Sequence, residues 1–466
     1  MNYLLAISLV LAHIFSDHAV LQQEADVPVW GWGDPGSKVE VVWDGARYKT
    51  TVQADGSWRV TIPTGKADGM ARSLKVKSGK ECLERTDLVL GEVWLCSGQS
   101  NMEMPLSGFG FQEVEGATDA IMAAGETASL LRVFDIKTPK CTEPIKDVEA
   151  VWACSTPEVA ARTSAVAYFF GKRLTQTLHI PVGIIVNAWG GSRIEPWMTR
   201  DAINGAGLTQ QELDELYAVE EKPDRWPETP ELIWNGRVKP IVGYAAKGII
   251  WYQGCSNMGQ PHCYDKLQKA MVELWRREWN MDLPFIFTLL APYEHGDADG
   301  RWRPFFVENQ LHTEEILPLS WAVCTETLGN KVTVHPSRKR EVADMMVQRA
   351  LQNVYGVNPG VSLELPRLQS VQFEEGGARV TLTQVWSNLM SISARDIVGF
   401  ELSGEDRQFH LAQAEVDWDG QTIIVKCPEV AKPVAVRYGW RNWMGANLHK
   451  SNGIPVPPFR SDDWEY

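Results

Sequence analysis

Ser100 lies in Gly98-Gln99-Ser100-Asn101-Met102, which Ser97 joins to the apolar run Val93-Trp94-Leu95-Cys96, and that is the setting an exposed nucleophile needs. A buried strand that runs into such a turn brings the hydroxyl to the C-terminal edge of a sheet, where α/β proteins build their sites. Gly98 allows a tight turn, and the residues after it present backbone N–H groups. A strand ending in a polar turn with Ser97 or Ser100 as a helix N-cap would be written in the same letters, so this segment alone decides nothing. Two more strand ends do: Val186-Asn187-Ala188-Trp189-Gly190-Gly191-Ser192-Arg193 and Tyr252-Gln253-Gly254-Cys255-Ser256-Asn257. In a parallel sheet all three ends meet at one edge. The N–H of Ser100, that of Gly190 or Gly191 and the Asn257 amide would then form an oxyanion hole, each donor lowering an acyl-transfer barrier by about 3 kcal/mol. Close helix packing could explain the two glycines singly, and a turn or cap could explain Asn257. The general base must come from elsewhere, and His335 in Val334-His335-Pro336 lies between a polar loop and an amphipathic helix. A near-neutral imidazole there suits proton abstraction from Ser100. His18, His295 and His449 are its competitors.

The elements that must position these groups follow from periodicity. From Val20 to about Leu90, short alternating runs (27–32, 38–43, 58–62) separated by Gly, Pro and Asp predict an antiparallel β-sandwich. Beyond Gly91, buried strands at 92–96, 182–186, 248–252 and 285–289 alternate with helices at 165–177, 264–278 and 337–354. That order implies a parallel sheet covered on both faces. From about Pro359 short β runs return, as at 378–382 and 422–425. The expected domains are therefore 1–90, 91–356 and 357–466, the last packing with or completing the first.

The 466 residues, 44% hydrophobic and 22% charged, are ordinary for folded protein. A net charge of −14, from 45 basic and 59 acidic residues, argues against nucleic acid or an anionic membrane as partner. Twenty Trp are enough to fill cores and still stack on sugar rings. The eight Cys show no C-x-x-C pair and no zinc-type spacing with His, so no metal is expected. Cys255 and Cys263 could pair in an exported chain or stay buried thiols. The apolar run Leu4–Ala12 reads either as a signal-peptide core without a preceding Lys or Arg, or as a first strand. It is too short to span a bilayer, and no later run is long enough either.

Taken together, Gly98-Gln99-Ser100-Asn101-Met102, Trp189-Gly190-Gly191-Ser192-Arg193-Ile194-Glu195-Pro196-Trp197, Trp251 to Asn257 and His335-Pro336 resemble the sialate O-acetylesterase family of SGNH hydrolases. The likeness extends from Ile14–Gln23 to Pro457-Pro458-Phe459-Arg460, so it covers nearly the whole chain. It implies a flavodoxin-like three-layer α/β/α catalytic domain with an accessory antiparallel β-sandwich. It also implies deacetylation of a carbohydrate through an acetyl-enzyme, with no metal or organic cofactor. By motif, Ser100 is the nucleophile, His335 the base, and Ser100, Gly190 or Gly191 and Asn257 the oxyanion hole. Gln99, Asn101, Arg193 and Gln253 contact the substrate or support residues that do. Family members act on acetylated sialic acids or acetylated xylan and are often periplasmic, extracellular or lysosomal, which favours export here.

Two positions depart from the family pattern. Thr333 stands where many relatives carry an Asp two residues before the His, and Cys255 stands where many have Glu in Gln-Gly-Glu-Ser-Asn. The third triad member is thus open between Glu326, Asp344 and a Ser-His dyad. Loss of an orienting acid costs a serine protease on the order of 10⁴ in turnover, so weakened catalysis in a carbohydrate-binding protein is the alternative reading. A glycoside hydrolase is disfavoured because no carboxylate pair is singled out by position.

Overall fold

Short strands whose inward side chains are apolar and whose outward ones are polar build residues 9–90. The computed structural model describes residues 9–137, 141–218, 228–385, 388–392 and 396–464. The chain forms two compact units, Met1–Trp251 with Ala270–Phe285, and Tyr252–Lys269 with Ile286–Tyr466.

In the first unit, Val10–Leu11 (β1), Val20–Gln22 (β2), Asp26–Trp32 (β3), Lys38–Trp43 (β4), Ala46–Thr51 (β5), Ser57–Pro63 (β6), Arg72–Ser78 (β7) and Glu81–Gly98 (β8) follow in order. One antiparallel sheet runs β1-β3-β6, and a second joins β5, β4, β7 and the start of β8, with β2 parallel beside β8. Val27, Val29, Val39, Val41, Trp58, Ile62, Leu74 and Val76 are buried between the strands, as the period-2 pattern requires. The expected strands at 27–32, 38–43 and 58–62 are present. Of the N-terminal apolar run, Val10–Leu11 is a strand paired with Gly31–Trp32, and residues 1–8 lie outside the described residues.

β8 is 18 residues long and runs through the expected boundary at residue 90. Its burial alternates up to Asp87 and is unbroken from Leu88 to Gly98. Asp87 has a positive φ of 55°, at a register shift opposite β7, so a bulge marks the change. The change of texture along the sequence therefore reflects one-sided burial becoming two-sided burial within a single strand.

Beyond it, Leu131–Asp135 (β9), Trp152–Cys154 (β10), Val182–Ala188 (β11) and Gly248–Tyr252 (β12) form the order β10-β9-β11-β8-β12. β9, β11 and β8 are parallel, with Ile184 opposite both Val133 and Trp94. Because β11 flanks β8 on one side and β12 on the other, strand order reverses at β8, and such a switch opens a crevice at the C-terminal ends. The helix Ala165–Leu178 is capped by Ser164, which accepts from the Ala167 N–H, and it ends at left-handed His179. It lies close on the sheet at Gly171, where a Cβ would come within 2.6 Å of Leu131. Trp197, Trp251, Trp275 and Trp279 form a continuous row of ring contacts, so these four indoles are core.

Phe285–Thr288 (β13) neighbours Ser320–Val323 (β14), and helices Trp302–Ile316 and Lys339–Asn353 pack on β14. The C-terminal segment forms two four-stranded antiparallel sheets and a two-stranded one. It has an apolar core of its own, including Val380, Leu402, Ile423, Val436, Tyr438 and Val456. No disulfide joins any of the eight cysteines, Cys255 and Cys263 included. No described helix is long and apolar enough to cross a membrane.

Candidate active site

Gly98 closes β8 with φ 146°, a conformation glycine tolerates, and the four-residue helix Ser100–Glu103 begins two residues later. Gln99, not Ser97 or Ser100, holds the N-cap position, and its backbone carbonyl accepts from the Met102 and Glu103 N–H groups at 2.8 Å. Ser100 is thus the first helical residue after the strand, with Gln99 and Asn101 buried on either side of it. The end of β11 is tied to the same turn, because the Trp189 N–H donates to the Gly98 carbonyl at 2.9 Å. Gly190 follows, and a Cβ there would stand 3.6 Å from the Ser100 Cβ. Two of the expected oxyanion donors are therefore neighbours.

Glu103 and Arg237 join this cluster without having been singled out by motif. The Gly190 N–H donates to Glu103 Oε2 at 2.9 Å. The Arg237 guanidinium stacks on the Trp189 ring at 3.8 Å and donates to the Ala188 carbonyl at 2.9 Å. Burial pushes Arg237 down to about 10, against the carboxylates of Glu103 and Asp135. Ser192 Oγ bridges the Trp189 carbonyl and Trp197 Nε1, so the turn is braced from both ends. Arg193 is 8% exposed and paired at 3.0 Å with Glu195, itself fully buried.

In the second unit, Gly254 also has φ 146°, and a Cβ there would lie 2.6 Å from the Phe306 ring. Gln253 is completely buried. Tyr264 Oη donates to its Oε1 at 2.6 Å, and its Nε2 donates to Asn257 Oδ1 at 2.8 Å. That chain settles the Asn257 amide, with Nδ2 as its donor end. Gln310 accepts from the Leu290 N–H and donates to the Gln253 carbonyl, locking the loop.

His335 is half-buried just before the helix Lys339–Asn353, and its backbone N–H donates to Thr333 Oγ1 at 3.1 Å. Burial first, and the Lys339 charge second, hold the imidazole down at about 4. Lys339 is wholly buried with its ammonium 5.6 Å from the Tyr252 ring centroid. Burial lowers Lys339 to about 7, and Cys255 opposes that shift. A carboxylate at position 255 would hold the ammonium charged more strongly than a thiol does. Glu326 is engaged at both oxygens by Arg303, at 2.8 and 3.0 Å. Asp344 sits in the second turn of the following helix.

A family model described as carbohydrate esterase, sialic acid-specific acetylesterase matches residues 90–352. Sialate O-acetylesterase of Mus musculus is 25% identical over 511 residues, covering 96% of this chain and 93% of that protein. The Homo sapiens protein of that name is 26% identical over 492 residues, with 96% and 91% covered. The crystal structure of a carbohydrate acetylesterase from Xanthomonas citri aligns with TM-score 0.86 and 32% identity over 98% of this chain and 100% of that one. The chain belongs to the sialic acid-specific acetylesterase family of carbohydrate esterases.

It is accordingly a carboxylic ester hydrolase of carbohydrate O-acetyl esters with an SGNH-type α/β fold. The esterase has one group of three potential metal ligands among its described residues, His18, Asp87 and Cys154. Asp87 is already bonded there to His18 at 2.6 Å and to Arg132 at 3.1 Å.

Proposed function

We propose that the esterase cleaves acetyl esters of sialic-acid-type sugars through an acetyl-enzyme on Ser100. Ser100 Oγ attacks the acetyl carbonyl while His335 takes its proton. The oxyanion is held by the Ser100 N–H, the Gly191 N–H and the Asn257 amide, the Gly190 N–H being taken by Glu103. His335 then returns the proton to the departing sugar oxygen. Water, deprotonated by His335, attacks the acetyl group, and acetate leaves with Ser100 restored. The observation that carries the reading is the position of Ser100, at the head of a helix beyond Gly98 and beside Gly190, where strand order reverses. The neutral imidazole of His335 supports the base assignment, and the Asn257 amide oriented by Gln253 supports the third donor. We assign catalysis to residues 91–356, with 1–90 and 357–466 as accessory β modules. Ser100→Ala is expected to abolish acetate release from p-nitrophenyl acetate and acylation by a fluorophosphonate probe. Unchanged turnover in that variant would remove the nucleophile.

A second reading, an uncharged acetylated sugar such as a xylan-type ester, is favoured by the pairing of Arg193 with buried Glu195. A guanidinium already neutralised is a poor anchor for the sialic acid carboxylate. Acetate release from a panel of acetylated sialic acids and acetylated neutral sugars separates the two.

A further inference from the structure

Glu103 takes no part in the reaction above, yet it is the carboxylate bound to the residue beside the nucleophile. It lies three residues after Ser100, a spacing that sets two side chains on one face of a helical turn. From there Oε2 accepts the Gly190 N–H at 2.9 Å, a bond strengthened by the charge on the acceptor. A Cβ at 190 would approach that oxygen to 2.6 Å, so glycine leaves the space that the carboxylate occupies. The turn it holds is intrinsically loose, with two adjacent glycines and Gly191 at φ 73°. Oxyanion donors act only when held in place, since a displacement of about 1 Å can cost on the order of 10²-fold in rate.

We propose that Glu103 is a positioning residue for the esterase reaction: its carboxylate oxygen clamps the Gly190 N–H and holds the Trp189–Gly190–Gly191 turn against Ser100. The clamp works through acceptance of a hydrogen bond. A bare negative charge beside a developing oxyanion would raise the barrier, and the bond to Gly190 together with the facing charge of Arg237 offsets it. Glutamine, whose amide oxygen can accept the same bond, should therefore replace Glu103, while alanine should not.

This rests on Ser100 being the nucleophile, so Ser100→Ala is measured alongside Glu103→Ala and Glu103→Gln in the full chain. The readouts are kcat and KM for p-nitrophenyl acetate, the rate of fluorophosphonate acylation and the thermal midpoint. Glu103→Ala is expected to lower kcat and the acylation rate together by about 10²-fold with little change in KM. Glu103→Gln is expected to stay within a few-fold of the parent. A folded Glu103→Gln that falls as far as the alanine variant overturns the clamp, as does wild-type kcat in Glu103→Ala. Should the alanine variant not fold, Gly190→Ala decides by the same kinetics: its Cβ displaces the carboxylate, and an unchanged acylation rate overturns the proposal. Activity surviving in Ser100→Ala would instead sink the nucleophile assignment, whatever Glu103 does.

Discussion

His335 holds its basic nitrogen where the charged form is disfavoured. Burial and the charge of Lys339, four residues on, hold it at about 4 instead of 6.5, so the imidazole stays neutral well into acid. Since kcat/KM follows the free enzyme's base, its acid limb is expected near pH 4, not near 6.5. Lys339→Met removes the second cause and leaves burial, so the limb should move upward without reaching 6.5. A pH–rate profile of both proteins checks this, and an acid limb at 6.5 in the parent would contradict it. Thr333 accepts the His335 backbone N–H, so that residue braces the loop.

At the scale of elements, the site depends on β8 being continuous. The same strand that closes the β-sandwich through β7 delivers Gly98 and Ser100 to the crevice. A rigid strand transmits position over its length better than a linker would. Packing beside it is tight: a Cβ on Gly183 in β11 would stand 2.8 Å from Val20 and 2.9 Å from the Trp152 ring. Gly183→Ala should therefore cost about 1–3 kcal/mol through overpacking, read as a lower urea midpoint at unchanged slope. Stability equal to the parent would mean that the indole has room to yield.

At the scale of the folded units, a few buried ion pairs join distant segments. Arg303, 2% exposed, bonds Glu326 and also donates to the carbonyls of Gly439 and Leu290, so a helix, a strand end and the C-terminal sheets share one guanidinium. Arg303→Met should destabilise by about 3–5 kcal/mol, because it strands the Glu326 carboxylate, whose proton affinity burial already raises. Arg303→Met with Glu326→Met should recover much of that loss in urea unfolding. A double variant no more stable than the single one would refute the account.

The sequence alone determined the elements whose signal is local. The period-2 runs at 27–32, 38–43 and 58–62, the buried strands at 182–186 and 248–252, and the helix at 165–177 are all present, the last as Ala165–Leu178. That Ser100, Gly190 and Asn257 follow strand ends was legible because a strand, a glycine and a polar turn lie side by side in the chain. Partnership across the chain was not legible, since periodicity records which face is buried but not what it meets. Leu131–Asp135 escaped notice because buried Arg132 interrupts its apolar run, and the charge is answered by Asp87, 45 residues away. The clamp between Glu103 and Gly190 spans 87 residues, and the commitment of Glu326 to Arg303 spans 23. Only tertiary packing decided these, because a buried charge or N–H takes whichever partner the fold delivers, and no local pattern names it.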